Sequence, residues 1–180
     1  MKTIKYLMIG ALMIGIYAPI NAQEDHKAII EQVTNIIKTQ GTGTEKQVKD
    51  IFKANKKNVD VITAIGRAYL DIKDTTNAQI YADLAIARDK HYGDAYVLAG
   101  DIEAFKDNGG AASGWYEQAT YFDPKNPNGY RRYAYVNSKV SPSSSVAKLE
   151  ELRKHRPDYP VDIIYAEIYD KAGNISKALE

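Results

Sequence analysis

The sequence predicts an all-α fold, a solenoid of stacked antiparallel helix hairpins, on three observations. Residues of matching character recur 34 positions apart: Gly66 and Gly100, Ala78 and Ala112, Ala85 and Ala119, and, one block on, Tyr96 and Tyr130. A sustained period of that length marks helix–turn–helix units that bury their apolar faces on one another. Within a unit, an apolar residue, a small residue and then Tyr69 share one face of a first helix, while Ala78, Ala82 and Ala85 share one face of a second. Small residues sit where two helices approach closely, and larger ones fill the space beside them. Lastly, no long alternating β-branched segment interrupts the pattern. The most strand-like run, Val161-Asp162-Ile163-Ile164, is in helical phase with Tyr165 and Tyr169.

Taken in order, residues 1–22 read as a signal peptide outside the fold. Lys2 and Lys5 form a basic leader, Tyr6 to Ile20 an apolar core, and Ile20-Asn21-Ala22 puts a small residue at the cleavage position. Export follows, with the mature chain periplasmic, associated with the outer envelope, or secreted. The apolar run of 15 residues falls short of the roughly 20 that a spanning helix needs. No integral membrane span is therefore expected after cleavage, a retained anchor being the alternative. Cysteine is absent, so there is neither a lipidation site nor a disulfide.

Residues 23–58 should form a degenerate helix hairpin or N-terminal cap. Ile29, Ile30, Val33, Ile36 and Ile37 make a helical apolar stripe, Gly41-Thr42-Gly43 breaks it, and Val48, Ile51 and Phe52 mark a second helix. The small-residue signature is missing, with Gln32 in the glycine slot. Terminal units of such arrays tolerate atypical sequence.

The array proper covers residues 59–180, in blocks of about 59–92, 93–126, 127–158 and an incomplete 159–180. Forward from Gly100 the small slot falls on Ala134, and Leu149 and Leu152 belong to the second helix of that third block. Pro124 and Pro157 close successive blocks one residue short of the full period, which a deletion in the third inter-helix turn explains. The fourth block offers Tyr165, Ala166 and Tyr169, the turn Gly173-Asn174, then Ala178, and stops inside a helix at Glu180. We expect the chain to be a fragment of a longer protein. Turn chemistry agrees with these divisions: Thr76 with Gln79 reads as a capping box, Asn126-Pro127 and Ser141-Pro142 as caps followed by proline, and Gly109-Gly110 as a separator.

This pattern resembles the tetratricopeptide repeat (TPR), a 34-residue helix–turn–helix with small residues in both helices, aromatics beside them and a proline near the end. The resemblance runs most clearly through residues 59–125 and weakens before residue 58. It implies a right-handed solenoid in which the first helix of each hairpin lines a concave groove that takes up an extended peptide or a partner's helix. Projecting the phase points Arg67, Asp71, Asp101, Phe105, Arg131, Tyr135, Lys139 and Glu167 towards that groove. An aromatic beside two basic residues suits an acidic or C-terminal peptide, with aromatic area for affinity and Arg131 for orientation. The chain departs from the family's chaperone-tail carboxylate clamp, because Asp60 and Asp94 stand where basic residues would be expected. Tyr69, Tyr96, Tyr116, Tyr130 and Tyr165 take repeat-core slots and read as inter-helix packing.

Composition and motifs narrow the function further. Removing the leader takes away two lysines and no acids, so 22 basic residues face 23 acidic ones, a net charge of −1 mixed along the helices. A binder of phosphate backbones carries a clustered basic patch instead, so no nucleic-acid partner is expected. His26, His91 and His155 are far apart, without metal-ligand spacing. Gly41-Thr42-Gly43-Thr44-Glu45-Lys46 lacks the spacing and preceding strand of a phosphate loop, and Asp123-Pro124-Lys125-Asn126 lacks the alternating oxygens of a calcium loop. Asn174-Ile175-Ser176 matches a glycosylation sequon, a motif short enough to recur by chance. Neither catalytic residues nor a metal or cofactor site are expected. The expected function is a non-enzymatic protein–protein interaction scaffold or adaptor of the cell envelope or exterior. The alternative is the N-terminal TPR arm of a longer envelope enzyme or nutrient-binding protein whose active part lies beyond residue 180.

Overall fold

The computed structural model describes residues 22–171 and residue 173. Among the described residues are nine α-helices and no strand: α1 (Ala22–Thr39), α2 (Thr44–Ala54), α3 (Val59–Asp71), α4 (Thr75–Arg88), α5 (Gly93–Phe105), α6 (Gly109–Phe122), α7 (Pro127–Asn137), α8 (Pro142–His155) and α9 (Val161–Lys171). Apart from the backbone of Ala22, the leader assigned to residues 1–22 lies outside the described residues, as do Asn174, Ile175, Ser176 and Ala178. No helix among those described is long and apolar enough to cross a membrane.

The fold is an α-solenoid of antiparallel hairpins. Val59, Gly93, Pro127 and Val161 begin α3, α5, α7 and α9, each 34 residues after the last. Within hairpins α3 packs on α4, α5 on α6 and α7 on α8, and α4 and α6 hand over to α5 and α7. Across hairpins α3, α5, α7 and α9 touch in succession, whereas α4, α6 and α8 stay apart from one another. The stack is therefore narrower on the side of the odd-numbered helices, and that side is concave.

The repeated glycines permit this spacing. A Cβ on Gly66 would lie 2.6 Å from Leu98 Cδ2, and one on Gly100 would lie 2.3 Å from Tyr116 Cε1. Both separations are shorter than carbon atoms tolerate. At Gly100 the neighbour is the Tyr116 ring of α6, so that slot requires glycine while α6 stays where it is; at Gly66 it is the movable end of Leu98 on α5, with Ala78 O and Tyr81 Cβ of α4 close behind at 3.2 Å. In the third hairpin the slot holds the fully buried Ala134, whose carbonyl accepts from Ser145 Oγ at 2.9 Å. Tyr69, Tyr96, Tyr116 and Tyr130 are buried between helices and Tyr165 is partly so.

The N-terminal hairpin packs by another rule. Its main contact with the array is α1 on α3, and α2 touches α3 only slightly. Val33 and Ile37 of α1 and Val48 of α2 are buried in one cluster with Val61, Ile62 and Ile65 of α3. Branched side chains, not small ones, fill that junction, in keeping with Gln32 in the glycine slot.

The inter-helix turns differ from the sequence reading in two places. The α3–α4 turn places Lys73 at φ 66, and the α5–α6 turn places Asp107 at φ 59. Each is followed by the cap of the next helix: Asp74 accepts from Asn77 N at 3.0 Å and Asn108 from Ala111 N at 3.3 Å. Thr76 and Gln79 do not form the capping box, since Gln79 Nε2 donates to Asp83 at 2.8 Å within the helix. Gly109 and Gly110 begin α6 and do not separate it from α5. Asn126 caps α7 with Pro127 in its first turn, and Ser141 precedes α8, its hydroxyl 2.7 Å from Ser144 Oγ.

Candidate functional site

On the concave side, residues one period or nearly one period apart bond to each other from hairpin to hairpin. Arg67 Nη1 of α3 donates to Asp101 Oδ2 of α5 at 2.8 Å. Asn128 Nδ2 of α7 donates to Asp94 Oδ1 of α5 at 2.8 Å. Tyr92, just before α5, donates its hydroxyl to Asp60 of α3 at 2.6 Å. The aspartates at 60 and 94 thus hold neighbouring hairpins together in slots where the resemblance led us to expect cations.

Asp101 is the junction of this side. Its side chain is 10% exposed. Besides Arg67, it takes the Tyr116 hydroxyl at 2.9 Å and lies 3.1 Å from Arg132 Nε of α7. Burial, the Asp101 charge and that hydrogen bond together push the Tyr116 phenol well above its ordinary range. One carboxylate therefore orients two guanidiniums and a phenol from three other helices.

Above this junction opens a cleft of about 340 Å³. α3 contributes Arg67, α5 contributes Asp94 and Val97, and α7 contributes Asn128, Arg131, Arg132 and Tyr135. Asp101 and Asp94 engage Arg67, Arg132 and Asn128. Arg131 differs: its Nε is buried and has no hydrogen-bond partner among the described residues. A buried donor in that state is destabilising, and a shift of the Arg131 side chain towards an acceptor in the cleft would relieve it. The arrangement suits an acidic group, with Tyr135 offering aromatic area beside it.

Of the eight residues projected onto the groove, the structure brings Arg67, Arg131 and Tyr135 to one cleft, with Asp101 supporting it from beneath. Asp71 is exposed and pairs with Lys38 of α1 at 3.0 Å. Phe105 ends α5 and is 49% exposed. Lys139 lies past the end of α7, exposed in the turn, because that helix stops at Asn137. Glu167 is exposed on α9. Sequence reasoning did not find Asn128 and Arg132. The first was available, since Asp60, Asp94 and Asn128 share one repeat slot; the second follows only from the rotation of α7 against α5.

The groove also extends further towards the N-terminus than the projection reached. Arg67 and Asp94 border a second cavity, of about 630 Å³, walled on its other side by α1. Among the described residues no cluster of three or more His, Asp or Glu side chains is placed to hold a metal ion. His26 and His155 stand on α1 and α8, and His91 in the α4–α5 turn has its ring against Phe122.

No protein-family model matches the chain, and no curated protein matches it in sequence. Solved structures do match in fold. TTC0263, a thermophilic TPR protein in Thermus thermophilus, is 14% identical, with 86% of each chain covered and a TM-score of 0.61. A crystal structure of MamA is 18% identical, with 91% of each chain covered and a TM-score of 0.56. A structure of Naa15/Naa10 bound to HypK-THB is 19% identical over 86% of this chain and 24% of that one, with a TM-score of 0.56. At these identities the likeness is one of fold.

Proposed function

We propose that this chain, which has the fold of the tetratricopeptide-repeat proteins, is a non-enzymatic protein-interaction scaffold whose concave cleft takes an acidic segment of a partner protein. The observation that carries this reading is that Arg131, whose buried Nε has no partner among the described residues, lines a cleft built from the first helices of three successive hairpins. Asp101 holds Arg67 and Arg132 in place through one nitrogen each, which leaves their other N–H groups, with Arg131, to face an incoming acceptor. Pre-positioned guanidiniums favour a bidentate acceptor such as a carboxylate, because the ordering entropy is met in the fold and not at binding. A related fold also occurs within a multi-protein assembly, the Naa15/Naa10 structure with HypK-THB. The basic leader and apolar run of residues 1–22 support export to the envelope or exterior of the cell.

The test is affinity capture from envelope extract of the source cell by the immobilised chain, beside the double variant Arg131→Glu, Tyr135→Ala. A protein retained by the wild type and lost by a folded variant is the expected result. Equal capture by both would remove the cleft as the binding site.

A further inference from the structure

The cavity between α1 and α3 differs in chemistry from the arginine cleft. Its walls are mainly carbon, and Ile30 of α1, Ala64 of α3 and Tyr92, whose hydroxyl is already committed to Asp60, line it beside His26, Lys27, Glu31 and Asp60. Thr63 lines it too, 4% exposed, and its hydroxyl has no hydrogen-bond partner among the described residues. A threonine within a helix ordinarily returns its hydroxyl to a carbonyl in the preceding turn; this one does not. The two cavities share Arg67 and Asp94 as a common border. They are consecutive stations on one concave surface, and each is lined by a residue with a buried donor that lacks an acceptor among the described residues.

We propose that the α1–α3 cavity is the apolar half of a two-part groove. One extended segment of the partner places an aliphatic or aromatic side chain against Ile30 and Ala64, offers an oxygen to the Thr63 hydroxyl, and sets an acidic side chain at Arg131. This rests on the peptide reading of the arginine cleft and adds the second determinant that the partner must carry. Apolar area supplies affinity that one acidic contact at the surface does not, while the two orphan donors fix position and direction. The N-terminal hairpin, atypical as a repeat, becomes a wall of the site as well as a cap.

A random peptide library displayed on phage and panned on the full chain tests this. Enriched sequences are expected to pair an apolar residue with an acidic one at constant spacing. Ala64→Glu should abolish the apolar preference and leave the acidic one, and Arg131→Glu should do the reverse. Thr63→Val keeps the shape and removes the orphan hydroxyl, so it should raise the melting temperature while weakening an enriched peptide by about tenfold, the worth of one hydrogen bond. A purely structural threonine would move the melting temperature alone. Enrichment of acidic peptides with no apolar position, or wild-type affinity in both Thr63→Val and Ala64→Glu, overturns the apolar half and leaves the arginine cleft standing. Failure of the wild type to enrich any peptide overturns both.

Discussion

At Asp101 a single side chain, 10% exposed, meets Arg67 at 2.8 Å, Arg132 at 3.1 Å and the Tyr116 hydroxyl at 2.9 Å. Periodicity places Asp101 and Asp71 on the same face of equivalent helices, yet the two carboxylates do different work. Asp71 meets Lys38 at 3.0 Å with both side chains about half exposed. Exposed pairs contribute roughly 0–1 kcal/mol, because water screens them and two long side chains must be ordered. Removing a buried acceptor strands its donors and costs about 1–3 kcal/mol. Asp101→Ala is therefore expected to lower the unfolding free energy by about 1–3 kcal/mol and Asp71→Ala by less than about 1 kcal/mol, read by urea denaturation. Equal losses would mean that Asp101 is not the junction described here.

Among the helices, the α3–α4 hairpin shows how a local motif is displaced by turn geometry. Thr76 and Gln79 have the residue types of a capping box, but the positive φ of Lys73 begins the helix earlier, and Asp74 becomes the cap. The α5–α6 hairpin repeats the device with Asp107 and Asn108, so α6 opens at Gly109 and the paired glycines fall inside it. Cap removal typically costs about 1 kcal/mol. Asp74→Ala should then lower stability by about that amount, and Thr76→Ala, in the first turn of α4, should leave the thermal midpoint nearly unchanged. A larger loss from Thr76→Ala than from Asp74→Ala would restore the capping box.

Over the whole molecule, burial of tyrosines couples the fold to alkaline pH. Tyr81, packed against Tyr69 and Phe52, is pushed from 10.0 up to about 12, chiefly by burial. Burial also raises Tyr92, Tyr116, Tyr130 and Tyr165, further still, with Asp60, Asp101, Glu151 and Glu150 adding to it in turn. For an acid whose folded pKa lies above its unfolded one, the stabilisation is complete below the unfolded value of 10.0 and is lost as pH rises towards the folded value. Circular dichroism should show full helicity up to about pH 10 and a steep loss beyond it, with phenolate absorbance rising in the same transition. Tyr81→Phe should make the loss shallower. Phenolate absorbance appearing while helicity persists would show that these rings ionise without unfolding.

What the sequence determined by itself was the fold class and the hairpin rhythm. Both depend on spacing along the chain: Gly66 and Gly100 recur at the period of the unit, and two helices can approach closely wherever small residues share a face. The helical phase of Val161-Asp162-Ile163-Ile164 was legible for the same reason. The tertiary structure decided which side chains the groove keeps available. Arg131 and Arg132 are neighbours in the chain, and only the rotation of α7 against α5 sends Arg132 to Asp101 and leaves Arg131 Nε without a partner among the described residues. It also decided that α1 walls the groove. Branched residues let α1 pack on α3 without the small-residue signature, so no period in the sequence announced Ile30 beside Thr63 and Ala64. Periodicity records where helices touch; the accounting of donors and acceptors between hairpins appears only once their rotations are set.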